Sequence, residues 1–307
     1  MTNLKKIILA GGTGQIGAAL VKAYTSQTEE IIVLTRGAER TMKNISYINW
    51  NNIDTETYAR YFKEVDVVIN LVGKNVNCRY TDKNKKEIIN SRVNSVKNLS
   101  RAFKNASSEP KLWIQFASST IYRSSEDEAM TETSNEIGTG FSVEVCKMWE
   151  KTFNLETSEF KNTRKAILRT SMVLSKEEGV YPRIKTMAKF GLGGIQGNGK
   201  QIVSWIHEDD VTGMIQFIID NPSMEGPFNC TAPIPIPNKI FMSELRKSLG
   251  INFGLPANKL LLEIGAFIIS TETELVLKSR FVLPERILEA GYVFKYPTIE
   301  SAYKSLI

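Results

Sequence analysis

Short runs of β-branched and apolar residues alternate with longer stretches of helical periodicity through the first half of the chain. Lys5 to Ala10 (KKIILA), Glu30 to Thr35 (EIIVLT), Ile45 to Trp50, Val65 to Val72 (VDVVINLV) and Lys111 to Ser118 (KLWIQFAS) read as strands, and Lys165 to Arg169 opens a sixth. Between the first two, Gly14 to Gln27 places Ile16, Ala19, Leu20 and Ala23 at helical spacing. Further helices are predicted over 55–64, 82–106 and 141–155. Strands that alternate with helices imply βαβ units, and so an α/β fold built on a parallel sheet covered on both faces.

The second half has a different character. Of ten prolines only Pro110 precedes residue 181. Residues 232–237 read APIPIP, which no central strand accommodates, so they are expected to form an extended connector. Amphipathic stretches near 239–249, 256–270 and 284–290 predict helices. The expected organisation is a nucleotide-binding domain over 1–232, with segments 179–210 contributing a substrate cleft, and a small, mainly helical C-terminal domain over 233–307.

Composition narrows the classes. Of the 307 residues, 42% are hydrophobic and 23% charged, the ordinary globular range. The most apolar stretch, Leu260 to Ile269, is broken by Glu263 and is short of the ~20 residues a membrane span needs. Ile7 to Ala10 is shorter than the ~7–15 apolar residues of a secretory leader. The net charge of +6 suits an anionic small molecule as well as nucleic acid, and no nucleic-acid reader motif accompanies it. The basic cluster Lys83 to Lys86 reads as a solvated helix start. Three cysteines without a CxxC, Cys78, Cys146 and Cys230, suit a reducing, cytoplasmic setting. With one histidine, His207, no metal site is expected, and no GxSxG elbow is present. No membrane or nucleic-acid partner is expected, and the chain is expected to be a monomer or homodimer.

The sharpest local signal is Gly11-Gly12-Thr13-Gly14-Gln15-Ile16-Gly17, between the first strand and the first helix. Gly11 suits the tight turn, Gly14 the approach of backbone N–H groups to a pyrophosphate, and Gly17 close packing of helix on strand. The helix N-terminus adds partial positive charge. This context predicts a Rossmann-type, doubly wound sheet that binds a dinucleotide. An Asp or Glu closing the second strand would take the adenosine ribose hydroxyl of NAD; here stand Thr35 and Arg36, with Arg40 one turn on. Arg36 suits a 2′-phosphate, which predicts NADP(H); the alternative is a plain surface arginine.

These residues resemble the short-chain dehydrogenase/reductase superfamily, in its extended, epimerase-like branch. The resemblance extends to atypical epimerase-family proteins with a C-terminal domain of unknown function. It rests on Asn70-Leu71-Val72-Gly73, Ser91-Arg92-Val93, Val145 to Glu150, Gly191 to Gly194, Gly197 to Gly199, Ser204 to Asp210, Gly226 to Asn229 and Val282 to Tyr292. It implies that Leu71, Val72 and Gly73 line the cofactor and that Met172, after the sixth strand, lies near the nicotinamide. The superfamily's reductases carry a Tyr-x-x-x-Lys pair with a Ser and an Asn. Aligned on Trp149-Glu150, the Tyr position is Ser142, the Lys position Cys146 and the Asn position Arg92; Ser118 alone matches. Lys147 lies one residue off, turned ~100° around the helix.

Substitutes for that machinery are few. Tyr122 is a candidate acid, though its place in relatives is structural. His207 has the one side chain with an unperturbed pKa near neutrality. It is either substrate-facing or a hydrogen-bonded structural group. Asp209 or Asp210 is expected to cap the following helix. Arg79, Gln201 and Trp205 are candidates for the substrate wall. Glu87 and Arg92 lie on one helix facing the cofactor, where Arg92 meets a phosphate or pairs with Glu87. Cys146 is either a reactive thiol or an inert packing residue. Two readings follow: an NADP(H)-dependent oxidoreductase or epimerase-like enzyme on a small molecule, or a non-catalytic NADP(H)-binding sensor.

Overall fold

A computed structural model describes residues 4–53, 56–258, 260–263 and 272–307. Apolar runs buried on both faces make the central strands, as a parallel sheet requires. β1 (Leu4–Ala10) pairs in parallel with β2 (Thr28–Thr35) on one side. A short β3 (Arg40–Met42) then turns antiparallel onto β4 (Ile45–Asn49), which lies parallel to β2. On the other side of β1 stand β5 (Val67–Asn70), β6 (Leu112–Ser118) and β7 (Arg164–Thr170), all parallel. Later in the chain come the short β8 (Met172–Leu174), β9 (Ile202–Val203) and β10 (Trp205–His207), then β11 (Gly226–Cys230) and β12 (Ile236–Pro237). β11 closes the eight-stranded sheet against β7, giving the order β11-β7-β6-β5-β1-β2-β4-β3.

Crossovers leave β1 in opposite directions toward β2 and, by way of β4, toward β5. That reversal opens a crevice at the carboxyl ends of β1 and β5, where sheets of this kind bind ligands. Helices cover the sheet: α1 (Gln15–Tyr24) packs with α5 (Glu208–Asp220), and α2 (Asp82–Asn105) with α3 (Phe141–Glu156). Under α2 and α3, Trp113 meets Phe103, Phe153 and Phe160 at ring separations of 5.6–6.2 Å. Lys83 to Lys86 lie in the first turns of α2, capped by Thr81, with Lys83 and Lys86 exposed.

Several elements differ from the expectation. The helix over 55–64 is a 3-10 helix, Glu56–Phe62, and residue 55 lies outside the described residues. β3 is too short and exposed to leave an apolar pattern. Of the stretch 256–270, residues 260–263 are helical, residues 256–258 are not, and 259 and 264–270 lie outside the described residues. The proline-rich connector is extended and ends in β12, which pairs antiparallel with β9. α6 (Asn238–Ser248) follows directly.

A second core gathers residues from both sides of position 232. Leu174, Tyr181, Ile184 and Trp205 pack with Phe241, Met242 and Leu245 of α6, and with Tyr303 and Leu306 of the C-terminal helix Ile299–Leu306. Ile287 and Phe294 pack instead into the sheet's own core. α4 (Tyr181–Lys189) belongs to the second core as well. Among the described residues, no helix is long and apolar enough to cross a membrane.

The two parts are joined by a buried carboxylate. Asp210 Oδ1 accepts the Lys295 N–H at 2.7 Å and the Tyr292 hydroxyl at 3.1 Å; Oδ2 accepts the Tyr296 N–H at 2.9 Å. The side chain of its neighbour Asp209 makes an exposed ion pair with Lys295. Asp210→Ala is therefore expected to cost at least about 2 kcal/mol in denaturant unfolding, because hydrogen bonds to a buried charge are the strong ones. Asp209→Ala should cost below about 1 kcal/mol. Equal losses would contradict this account of the joint.

Candidate functional site

The crevice floor is the turn after β1. Gly11 has φ +80°, and a Cβ there would stand 3.3 Å from the backbone of Leu71 and Val72, on the neighbouring β5 connection. Gly17 is more constrained. A Cβ there would lie 2.4 Å from Gly12 Cα and 2.6 Å from Gly12 C, so the first turn of α1 rests on the loop's own backbone. The expectation placed Gly17 against the strand; the contact is with the loop that leaves it.

Thr13 and Gly14 are exposed, and Gln15 and Ile16 are partly buried. The first helical bond runs from Ala18 N–H to Gly14 O. The N–H groups of Gln15, Ile16 and Gly17 thus have no acceptor within the helix. Gly14 supplies no capping side chain, and α1 has no acidic residue in its first turn. An anion is the natural complement of such an end.

At the end of β2, Thr35 is buried and its hydroxyl accepts the Gly37 N–H at 3.0 Å, which shapes the turn. Arg36 is exposed. The nearby carboxylate, Glu39, is engaged: it accepts the Asn49 N–H at 2.8 Å and the Tyr58 hydroxyl at 2.6 Å. The Tyr58 hydroxyl and the Asn49 N–H hold its pKa below the usual value. Arg40 stacks over Tyr47 at 3.9 Å. The end of β2 therefore presents guanidinium groups where an NAD site presents a carboxylate.

At the end of β5, buried Asn70 donates to Ser95 Oγ and Gln115 Oε1, both at 3.0 Å, and its Oδ1 accepts the Val72 N–H at 3.2 Å. That network fixes the path of Leu71, Val72 and Gly73. Arg92 lies against it: a Cβ on Gly73 would stand 3.1 Å from the guanidinium carbon. Arg92 donates to Lys74 O and Ile88 O, both at 3.1 Å, and sits over the Trp149 ring at 5.0 Å. The alternative pairing with Glu87 does not form. Glu87 is exposed and pairs with Lys74 instead, because a five-residue separation along α2 leaves Lys74 on the adjoining loop the nearer cation.

On α3 the absent proton-transfer pair leaves a distinct pattern. Cys146 is buried, and burial pushes its thiol up to about 12 despite the opposing pull of Arg92. This is the packing alternative rather than a reactive thiol. Lys147 faces outward in an exposed pair with Glu144. Ser142 Oγ donates to Glu274 Oε2 at 3.2 Å and lies 3.3 Å from the Tyr80 hydroxyl. Burial, its largest influence, raises the Tyr80 pKa.

The other candidates scatter. Ser118 caps the 3-10 turn Ser119–Ile121, accepting the Thr120 N–H at 3.2 Å. Tyr122 is buried; its hydroxyl donates to Asn229 Oδ1 at 2.9 Å and accepts from Arg169 at 2.8 Å, which makes it a structural bridge. His207, rather than Asp209 or Asp210, is the N-cap of α5: Nδ1 accepts the Asp209 N–H at 3.0 Å, and Nε2 lies 3.0 Å from Ser305 Oγ. Both ring nitrogens are used, so its role is the structural one. Trp205 is wholly buried in the second core and does not line a cleft, because β10 turns its ring inward. Gln201 is buried and braces the 196–201 loop by donating to Gln196 O at 2.8 Å. Met172 pairs with Trp205 across β8 and β10 and is partly buried. Arg79 reaches Glu272 at 3.6 Å, beside Tyr80, whose N–H also goes to Glu272.

Tyr80 and Glu274 are residues that sequence reasoning missed. Tyr80 sits two residues from Cys78 in a loop without periodicity, and Glu274 follows a stretch where the pattern signalled only helix. Among the described residues, no group of three or more His, Cys, Asp or Glu is arranged to hold a metal ion.

Comparison with known proteins agrees with this architecture. Residues 7–230 match the NAD dependent epimerase/dehydratase family, and residues 259–306 match a domain of unknown function, DUF1731. The chain is 32% identical over 305 residues to an epimerase family protein of Staphylococcus aureus (strain N315), covering 99% of each. It is 31% identical over 302 residues to the epimerase family protein YfhF of Bacillus subtilis (strain 168), covering 98% of this chain and 97% of the relative. The crystal structure of the human epimerase family protein SDR39U1 (isoform 2) with NADPH shares the fold at a TM-score of 0.87 and 24% identity, over 98% of each chain.

His207 provides a test that needs no substrate. Burial lowers its pKa from the ordinary 6.5, against the pull of nearby Asp209 and Glu208. Below about pH 6.5 the unfolded chain therefore binds a proton that the folded chain resists, and stability falls as pH falls through that range. The His207→Asn variant, which retains a capping side chain, should lose this part of the pH dependence. The single imidazole, followed by NMR, should titrate below 6.5 and carry the proton of its neutral form on Nε2; titration at or above 6.5 would contradict the assignment.

Proposed function

This chain belongs to the NAD dependent epimerase/dehydratase family, and on that premise we propose that it is an NADP(H)-dependent, epimerase-like oxidoreductase acting on a small molecule. The observation that carries the cofactor choice is the end of β2: Arg36 is exposed, and Glu39 is held by Asn49 and Tyr58. A 2′-phosphate there meets guanidinium donors, and Glu39 is already engaged by Asn49 and Tyr58. The human relative crystallised with NADPH is in keeping with this choice.

In this reading the N–H groups of Gln15, Ile16 and Gly17 receive the pyrophosphate, and Leu71 to Gly73 form the wall along the nicotinamide half. Hydride chemistry is supplied by the bound nicotinamide; the chain orients it and handles the proton. Tyr122 and His207 are committed to structural bonds, which leaves the chain from the Tyr80 hydroxyl through Ser142 Oγ to Glu274 as the proton route. The loss of the Tyr and Lys at 142 and 146 favours a second reading, a nucleotide-binding sensor without turnover; NADPH oxidation by any added carbonyl compound, abolished by Tyr80→Phe, would reject it.

The cofactor choice is tested by calorimetric titration with NADPH and NADH. NADPH should bind at least about tenfold tighter, and Arg36→Ala should remove most of that preference, as loss of a charge-assisted bond implies. Equal affinities in the parent protein, or an unchanged preference in Arg36→Ala, would contradict it.

A further inference from the structure

The large apolar side chains left on the surface gather in one place. Among the described residues, eight of the seventeen that are exposed fall on 187–195 and 253–261. Phe190 is 79% exposed, and Phe253 and Leu260 are each 64% exposed. The two segments form one piece of surface, because their backbones are paired. The Leu255 N–H donates to Gly191 O at 2.7 Å, the Gly194 N–H to Leu255 O at 3.2 Å, and the Ala257 N–H to Ile195 O at 2.8 Å. Glycine permits the approach: a Cβ on Gly194 would lie 2.5 Å from Pro256 N. Single apolar residues on a surface are ordinary, whereas a contiguous group marks a contact site.

The charge of the chain is collected on the same ground. Residues 181–200 and 238–263 hold eight Lys or Arg against two Asp or Glu, which is the whole net charge of +6; the rest of the chain is balanced. These cations border the apolar ribbon. Lys189, at the end of α4, is exposed and precedes Phe190. The Lys239 N–H donates to Gly199 O, and a Cβ on Gly199 would lie 3.3 Å from Lys239 Cβ and 2.6 Å from Ile195 Cγ2. On α6, Arg246 fastens the ribbon by donating to Gly193 O at 2.6 Å, and Lys247 beside it is exposed, with Glu244 at 3.4 Å. The end of α4, the ribbon and α6 thus make an apolar face with a positive border.

We infer that this face docks on the surface of a bilayer that contains anionic lipid. Apolar side chains flanked by lysine suit that surface: they enter the boundary between headgroups and acyl chains, and the ammonium groups meet lipid phosphate. Six of the eight cations are lysine, the basic residue that protein interfaces avoid, which disfavours an acidic protein as the occupant. A second copy would bring the same positive charge and be repelled. The expectation of no membrane partner rested on the lack of a spanning run; contact from one side requires none. The inference goes beyond the cofactor reading and does not rest on it.

The test is flotation of the full chain with vesicles of phosphatidylcholine alone and of phosphatidylcholine mixed with phosphatidylserine. The chain should float with the mixed vesicles in dilute salt and be released at about 1 M salt, where the screening length is ~3 Å. Phe190→Ser with Phe253→Ser, and Lys189→Glu with Lys247→Glu, should each lower the bound-to-free ratio at least about tenfold. Leu155→Ser, as exposed but on α3, and Lys22→Glu with Lys86→Glu, which change the net charge equally, should leave the ratio unchanged. All of these side chains are on the surface, so the variants should melt with the parent protein. No flotation with the mixed vesicles, equal flotation with phosphatidylcholine alone, or loss in only one of the two paired variants overturns the proposal. A dimer seen by light scattering that Phe190→Ser with Phe253→Ser splits, without flotation, overturns it in favour of a second copy.

Discussion

Position 17 has no room for a side chain. A single carbon there would meet Gly12 at 2.4 Å, closer than any non-bonded contact allows. This one approach lets the first turn of α1 lie on the loop after β1, and it sets the helix end over the crevice between β1 and β5. The consequences spread from that point. The uncapped N–H groups of α1 face the carboxyl edge of the sheet. Gly11 touches the backbone that leads out of β5, so the loop after β1 and the segment Leu71 to Gly73 are one packed unit. Asn70 then fixes that wall from beneath, through Ser95 and Gln115.

The far side of the crevice is built on a different principle. It replaces a proton-transfer pair with neutral groups at 142 and 146, and surrounds them with cations. Most of those cations have carboxylate partners inside the fold. Arg92 instead donates to the Lys74 and Ile88 carbonyls and lies over the Trp149 ring. The second core holds this side in place. Asp210 ties α5 to the segment at 292–296, and His207 ties the start of α5 to Ser305 of the C-terminal helix. Residues that looked like chemistry in the sequence are thus the fastenings of the C-terminal portion.

How much of this was legible depended on the range of the interaction. Apolar runs and helical spacing gave the strands and helices of the sheet, because burial on both faces leaves a continuous pattern. The glycine loop was legible because its tightest contact, Gly17 on Gly12, spans only a few residues. Arg36 was legible as the residue type closing a strand. The rest depended on contacts far apart in the chain. Tyr122 meets Asn229 across 107 positions, and His207 meets Ser305 across 98; neither partner leaves a local signal. Trp205 read as a cleft residue because a loop motif surrounds it, yet the pairing of β10 with β8 turns it into the core.

The central claim is that the crevice over Gly11 to Gly17 holds NADP(H), with its adenosine phosphate at Arg36 and its nicotinamide half along Leu71 to Gly73. A crystal structure of the chain grown with NADPH tests it most directly. The account predicts density for the 2′-phosphate within hydrogen-bond distance of Arg36 and for the pyrophosphate at the N–H groups of Gln15 and Ile16. A nucleotide bound elsewhere, or one whose 2′-phosphate points away from Arg36, would contradict it.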